Sequence, residues 1–162
     1  MKNYSEALEL IQNEVSIIGT QEVDTQSANA VIAEDIFSTH PVPSFHNSAM
    51  DGYCLRSKFS KHATSDNPIE LDIKGTIVAG DEPPINANAS ASYEIMTGSR
   101  MPDDMDTVVP VERCTVIEKD GRKSLVLNEA VKKGLNVRKA GEDFEKGELI
   151  LSKGTLINDH HK

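Results

Sequence analysis

The stretch PVPSFHNSAMDGYCLR, residues 41–56, passes from a proline-fixed approach through a polar Asn47-Ser48 pair to Asp51-Gly52 and then into an apolar segment. Pro41 and Pro43 lock φ and push their neighbours into extended conformations, and Gly52 permits a tight backbone path beside Asp51. The pattern predicts a turn directly ahead of a strand, with a carboxylate held at the junction. Turn chemistry alone also allows the plainer reading, a polar connection between two strands.

Downstream the apolar period stays short. PIELDIKGTIVAG alternates Ile69, Leu71 and Ile73 with polar neighbours, SYEIMTG does the same with Tyr93 and Ile95, and DTVVPVERCTVIE is rich in β-branched residues, so all three are expected as strands. Pro110 inside the last run marks an edge strand or a bulge, because it has no N–H to donate to a ladder. Asp120-Gly121 between two apolar runs is a hairpin signal, and Lys153-Gly154 in ELILSKGTLI is expected to form another. SKFSKHATSDNP and DEPPINANASA lack periodicity and read as loops.

Upstream lies the only helical period. Tyr4, Ala7, Leu8, Ile11, Val15 and Ile18 recur at three- and four-residue spacing, Asn3 with Glu6 matches a capping box, and Gly19 suits a stop. A helix over about residues 4–18 followed by β structure makes the chain mainly β with an N-terminal α-helix.

At 162 residues, 38 % of them hydrophobic and only 4 % aromatic, the chain can bury a modest aliphatic core. A net charge of −9 without a block of Lys and Arg argues against nucleic acid. No apolar run approaches the roughly 18 residues of a membrane span, and no secretory leader is recognisable, so a cytoplasmic protein is expected. Cys54 and Cys114 are too few and too far apart for a disulfide framework or metal motif, and read as free, packed thiols. His160 and His161 lack accompanying ligands, and Asp103, Asp104 and Asp106 lack the spacing of a calcium loop, so these are read as tail and solvated surface.

Three segments carry candidate chemistry: Asp51-Gly52; Thr97-Gly98-Ser99, where hydroxyls and N–H groups beside a glycine suit an anion; and NVRKAGEDFEKGE, where Arg138 and Lys139 precede Gly141-Glu142-Asp143. Each is also an ordinary turn or charged loop. Their order resembles that of the MoeA-type molybdopterin molybdenumtransferases, the family of the gephyrin E domain and the plant Cnx E domain. The resemblance runs through PVPSFHNSAMDGYCLR, VAGDEPP, IMTGSRMPDDMDTVVPVE and NVRKAGEDFEKGELILSKGTLI, nearly the whole chain.

That resemblance implies bifurcated, coiled β-sheets in two lobes: a helix over 1–18, a discontinuous domain I at 19–37 and 146–162, and an inserted domain II at 38–145. It implies an enzyme that inserts molybdate into adenylylated molybdopterin and releases AMP with Mg²⁺, and a homodimer whose molybdopterin-binding domain, like the C-terminal β-barrel, falls outside these residues. Asp51, Thr97 and Asp143 match catalytic positions, with Asp51 and Asp143 also the implied metal ligands. Asn47 and Ser48 would hold the loop, and Gly98, Ser99, Arg138 and Lys139 are candidates for anion contact. His46 and Cys54 depart from the family pattern, in which Asp and Ala are common. The molybdopterin-binding domain would act in cis or in trans. A stand-alone binding or dimerisation module of the same fold remains the alternative reading.

Overall fold

The computed structural model describes residues 2–16, 19–24, 26, 29–85 and 90–161. The chain is mainly β with one N-terminal α-helix, as its periodicity predicts. It divides into two compact units, Met1–Ile36 with Leu149–Lys162, and Phe37–Glu148.

In the first unit, α1 (Tyr4–Glu14) opens on a reciprocal cap. Asn3 Oδ1 accepts from the Glu6 N–H at 2.9 Å, and Glu6 Oε2 accepts from the Asn3 N–H at 2.9 Å. The helix is shorter than expected: Val15 is already extended at φ −85°, ψ 125°. A β-branched residue there, with no basic side chain in the last turn to answer the terminal carbonyls, favours an early stop. The end of the expected span, residues 17 and 18, lies outside the described residues. No residue of α1 is buried.

The expected Lys153-Gly154 hairpin does not form. The segment before it, β10 (Leu149–Leu151), pairs with β1 (Ile36–Phe37). The segment after it pairs with residues 30–32 through a Val31–Leu156 bridge, with Ile32 N–H donating to Thr155 O at 2.9 Å and Ile157 N–H to Ala30 O at 2.9 Å. Gly154 has φ 88° but Lys153 does not enter the left-handed region, whereas both tight two-residue hairpin turns, types I′ and II′, need positive φ at the first position. The two flanks therefore continue along one upstream partner instead of folding on each other.

In the second unit a six-stranded sheet carries the core. Its strands are β3 (Gly52–Leu55), β4 (Ile69–Ile77), β5 (Ala91–Ile95), β6 (Thr107–Pro110), β7 (Thr115–Lys119) and β8 (Arg122–Leu127), in the spatial order β6-β3-β5-β4-β8-β7. Only β4 and β5 run parallel; the other neighbours are antiparallel. Pro110 lies on β6, an edge strand, where its missing N–H costs no ladder bond. The run expected as one strand from Thr107 is interrupted by a 3₁₀ turn at Val111–Arg113, which lets β7 cross to the opposite edge.

The β7–β8 hairpin closes at Asp120-Gly121, with Lys119 opposite Arg122. Both turn residues are left-handed, at φ 52° and 73°. Leu55, Ile95, Val108 and Leu125 are fully buried with Cys54, forming an aliphatic core. A second, two-stranded ladder, β2 (Asn47–Ser48) with β9 (Val137–Arg138), brings the segments on either side of the site together.

Candidate functional site

Strand register places Asp51. Gly52 is paired with Ile95 of β5 on one side and with Pro110 of β6 on the other, so the residue before it leaves the sheet between two strand ends. Thr97 leaves the sheet beside it, two residues beyond β5. Asp51 Oδ1 accepts from both the Thr97 N–H and the Thr97 hydroxyl, each at 2.7 Å. The Asp51 carbonyl accepts from the Val111 N–H at 3.0 Å, which fixes the main chain as well. The Thr97 N–H, and after it the Thr97 hydroxyl, stabilise the ionised carboxylate and hold its pKa below the ordinary aspartate value. Both side chains are exposed.

Gly52 is required for close approach rather than for backbone sign. It is not among the left-handed glycines, yet a Cβ there would stand 2.1 Å from the Val109 carbonyl oxygen. Only a residue without a side chain lets β3 lie this near β6 at the base of Asp51.

Ser48 and Asn47 form the floor. The Ser48 hydroxyl donates to Met50 O at 2.5 Å and accepts from the Met50 N–H at 3.3 Å, closing the short turn that delivers Asp51. Asn47 Nδ2 donates to Phe45 O at 3.4 Å. Both residues are buried, as is Ser99, whose hydroxyl donates to Ile77 O at 3.3 Å.

The N–H groups expected to be available to an anion are engaged within the chain. Thr97 donates to Asp51, Gly98 to Ser48 O at 2.8 Å, and Ser99 to Met96 O at 3.1 Å. Thr97-Gly98-Ser99 therefore acts here as a clasp on the Asp51 turn, because a strand that ends at an exposed rim satisfies its free donors with the nearest carbonyls.

The third segment is stitched to the proline-rich approach. Gly141, left-handed at φ 75°, donates its N–H to Pro43 O at 3.0 Å, and Asp143 N–H donates to Val42 O at 2.9 Å across the cis Val42–Pro43 bond. The Ala140 N–H donates to His46 Nδ1 at 2.9 Å. On β9, Arg138 lies opposite Asn47, and its Nη2 reaches both Asp143 carboxylate oxygens at 2.6 and 2.7 Å. The Arg138 pKa is correspondingly raised. The Lys139 side chain is exposed, while its N–H donates to Glu142 Oε2 at 2.8 Å.

Asp51, Thr97, Gly98, Ser99 and Ser48 thus form one cluster, and Arg138 with Asp143 a second, tied to the first through the β2–β9 ladder. The two implied metal ligands have different partners. Asp143 has both oxygens against one Arg138 nitrogen, so a cation there would share the carboxylate with the guanidinium's positive charge. Asp51 keeps Oδ2 outside its two bonds to Thr97 and fits as a single carboxylate contributor. Among the described residues, no group of three His, Cys, Asp or Glu side chains is placed to hold a metal.

Asp106 proves structural: its carboxylate accepts from the Ser57 N–H at 2.7 Å and the Ser57 hydroxyl at 3.1 Å, while Asp104 pairs with Arg56. Sequence reasoning passed over Asn136. It stands at φ 53°, accepts from the Ala49 N–H at 2.9 Å through its carbonyl, and donates from Nδ2 to Val108 O at 3.0 Å. Its sequence signal is slight, since an Asn two residues after Gly134 suits a left-handed turn but is common in loops.

Comparison with known proteins places the site in context. Residues 2–162 match the family model described as the MoeA N-terminal region, domain I and II. The molybdopterin molybdenumtransferase of Bacillus subtilis is 33 % identical over 131 residues, covering 81 % of this chain and 30 % of that protein. That of Synechococcus elongatus is 31 % identical over 159 residues, covering 96 % of this chain and 38 % of that protein. A crystal structure of a molybdopterin biosynthesis MoeA protein from Pyrococcus horikoshii superposes with a TM-score of 0.87 at 31 % identity, over 97 % of this chain and 41 % of that one. The chain spans between three tenths and about two fifths of the length of these relatives.

Proposed function

Because this chain belongs to the MoeA N-terminal region family, we propose that it supplies one wall of a molybdenumtransferase site, in which molybdate is inserted into adenylylated molybdopterin and AMP is released. The observation that carries this reading is the Asp51–Thr97 pair. A carboxylate kept ionised by two short hydrogen bonds, yet exposed at the end of a rigid sheet, is arranged for something outside its own fold. The partner is a molybdopterin-binding domain in cis or in trans, within a cytoplasmic homodimer. Among the described residues no helix is long and apolar enough to cross a membrane.

In this reading Asp51 presents Oδ2 toward the pyrophosphate region while Thr97 holds Oδ1 and so fixes the carboxylate plane. Arg138 offers positive charge to an anionic group, and Asp143 keeps that guanidinium in place. Gly98, Ser99, Ser48 and Asn47 position the Asp51 turn, and Lys139 remains an exposed cation next to Arg138 in the chain. Mg²⁺, when bound, supplies charge neutralisation at phosphate oxygens, and it commonly takes only one or two protein carboxylates together with water and phosphate, a demand that Asp51 alone can meet.

A stand-alone binding or dimerisation module is the second reading, favoured by α1, which buries none of its residues. One experiment separates the two. The chain is combined with the molybdopterin-binding region of a relative, and molybdate-dependent AMP release is measured for the unmodified chain and for Asp51→Asn. Release that requires both pieces and falls about a hundredfold or more in the variant is expected for a working carboxylate. Association without release, or release indifferent to Asp51→Asn, returns the binding module.

A further inference from the structure

We infer that Asn136 is a positioning residue: through a left-handed backbone and its side-chain amide it clamps the turn that carries Asp51 to the edge of the main sheet, and so sets the Asp51–Thr97 contact. This deepens the reading of Asp51 as a working carboxylate and rests on it.

The turn from Ser48 to Asp51 is short, and its ends are defined by different elements. At its start, Ser48 belongs to β2; at its end, the Asp51 carbonyl is held by the Val111 N–H just past β6. Between them, Ala49 donates its N–H to the Asn136 carbonyl at 2.9 Å. Asn136 is itself anchored on β6, since its Nδ2 donates to Val108 O at 3.0 Å, while the Val108 N–H donates to Leu135 O at 2.9 Å. The 134–136 segment thus occupies both the donor and the acceptor of Val108 on the otherwise open edge of β6.

The left-handed backbone makes this possible. At φ 53° the Asn136 carbonyl meets Ala49 while the side chain of the same residue meets Val108, and the next residue, Val137, enters β9 opposite Ser48. Asn tolerates this conformation better than nearly any residue except glycine, and unlike glycine it brings a donor. One residue therefore sets the height of Ala49 relative to β6. Because β6 also fixes Gly52 and Val111, it sets where the Asp51 carboxylate stands relative to Thr97.

The test needs no assembled enzyme. In the chain labelled for NMR, the resonances and exchange of the Ala49 and Thr97 amides are followed in the unmodified protein, Asn136→Gly and Leu127→Val. Asn136→Gly keeps the left-handed backbone accessible and removes only the amide. Leu127→Val trims the buried core on β8, three strands from β3, and controls for lost stability alone. Asn136→Gly is expected to move the Thr97 amide resonance and to speed Ala49 amide exchange roughly three- to tenfold, as loss of one hydrogen bond implies. Leu127→Val is expected to leave the Thr97 amide resonance in place.

An unchanged Thr97 amide resonance in folded Asn136→Gly, or an equal shift in both variants, overturns the inference. Should Asn136→Gly not fold, the unmodified chain decides. Ala49 and Thr97 amides that exchange with a common protection support the clamp, and clearly different protection overturns it. Failure of AMP release in the reconstituted enzyme would bear on the role of Asp51 and leave these amide measurements untouched.

Discussion

The carboxylate of Asp51 is defined by what stands beside it rather than by burial. Two donors from Thr97 lower its pKa while it stays exposed to solvent. A depressed folded-state value makes the protonation linkage run one way: the contact contributes above the ordinary aspartate range, near 3.9, and is lost as pH falls through the lower folded value. The Thr97 amide resonance is therefore expected to stay constant from neutral pH down through about 4 and to move only below it. A shift centred at or above the ordinary range would show that the two bonds do not form in solution.

Gly52 gives the sharpest steric forecast at this scale. A methyl group at 2.1 Å from the Val109 oxygen cannot be relieved by a rotamer change, because the obstacle is backbone in a paired strand. Gly52→Ala is expected to destabilise the chain by about 4 kcal/mol, at the severe end for single substitutions, or to prevent folding. Urea unfolding checks this, and near-normal stability would mean that β3 and β6 separate without penalty.

Among the elements, the β7–β8 hairpin is the clearest case of local sequence setting local structure. Asp120 and Gly121 both adopt left-handed φ, and the pairing on either side is regular from Thr115–Val126 to Lys119–Arg122. Gly121→Ala places a Cβ in that conformation, although no atom lies within 4 Å of it. The cost is then conformational alone, about 1 to 2 kcal/mol. A larger loss in thermal or urea unfolding would reveal a contact beyond the turn. The apparently similar Lys153-Gly154 behaves differently because its flanks find partners at residues 30–37. A dipeptide favours a turn, but which strands pair is decided by whichever neighbour completes the ladder. Helix α1 shows the same limit: its N-terminal cap was legible in Asn3 and Glu6, whereas its end at Glu14 was not, because apolar spacing continues past the point where the backbone extends.

At the scale of the whole molecule, the sheet encloses the Cys54 thiol and half-buries that of Cys114. Burial pushes the Cys54 pKa up to about 12, and burial with nearby Glu112 pushes Cys114 up to about 11. Alkylation of the native chain near pH 8 is expected to be at least roughly tenfold slower than for an unperturbed thiol, whose pKa is about 8.5, and to become complete for both in urea. Rapid native labelling of Cys54 would mean that the β3 core opens locally.

The chain's own residues dictated its class. Alternating Ile69, Leu71 and Ile73, the Asp120-Gly121 turn, Pro110 at an edge and the Asn3–Glu6 cap are local signals, because strand period, left-handed turns, missing donors and helix caps depend on near neighbours. The carboxylates of interest were legible too, through the order of the motifs around Asp51, Thr97 and Asp143. What only the tertiary structure decided was their company. Thr97 lies 46 residues from Asp51 in sequence and meets it because β3 and β5 pair in one register. Asp143 goes to Arg138, and Asn136 reaches Ala49 and Val108, because the short β2–β9 ladder brings the 134–143 segment against the turn. Such contacts follow from strand order and register, which a periodic pattern permits in several ways and a packed sheet realises in one.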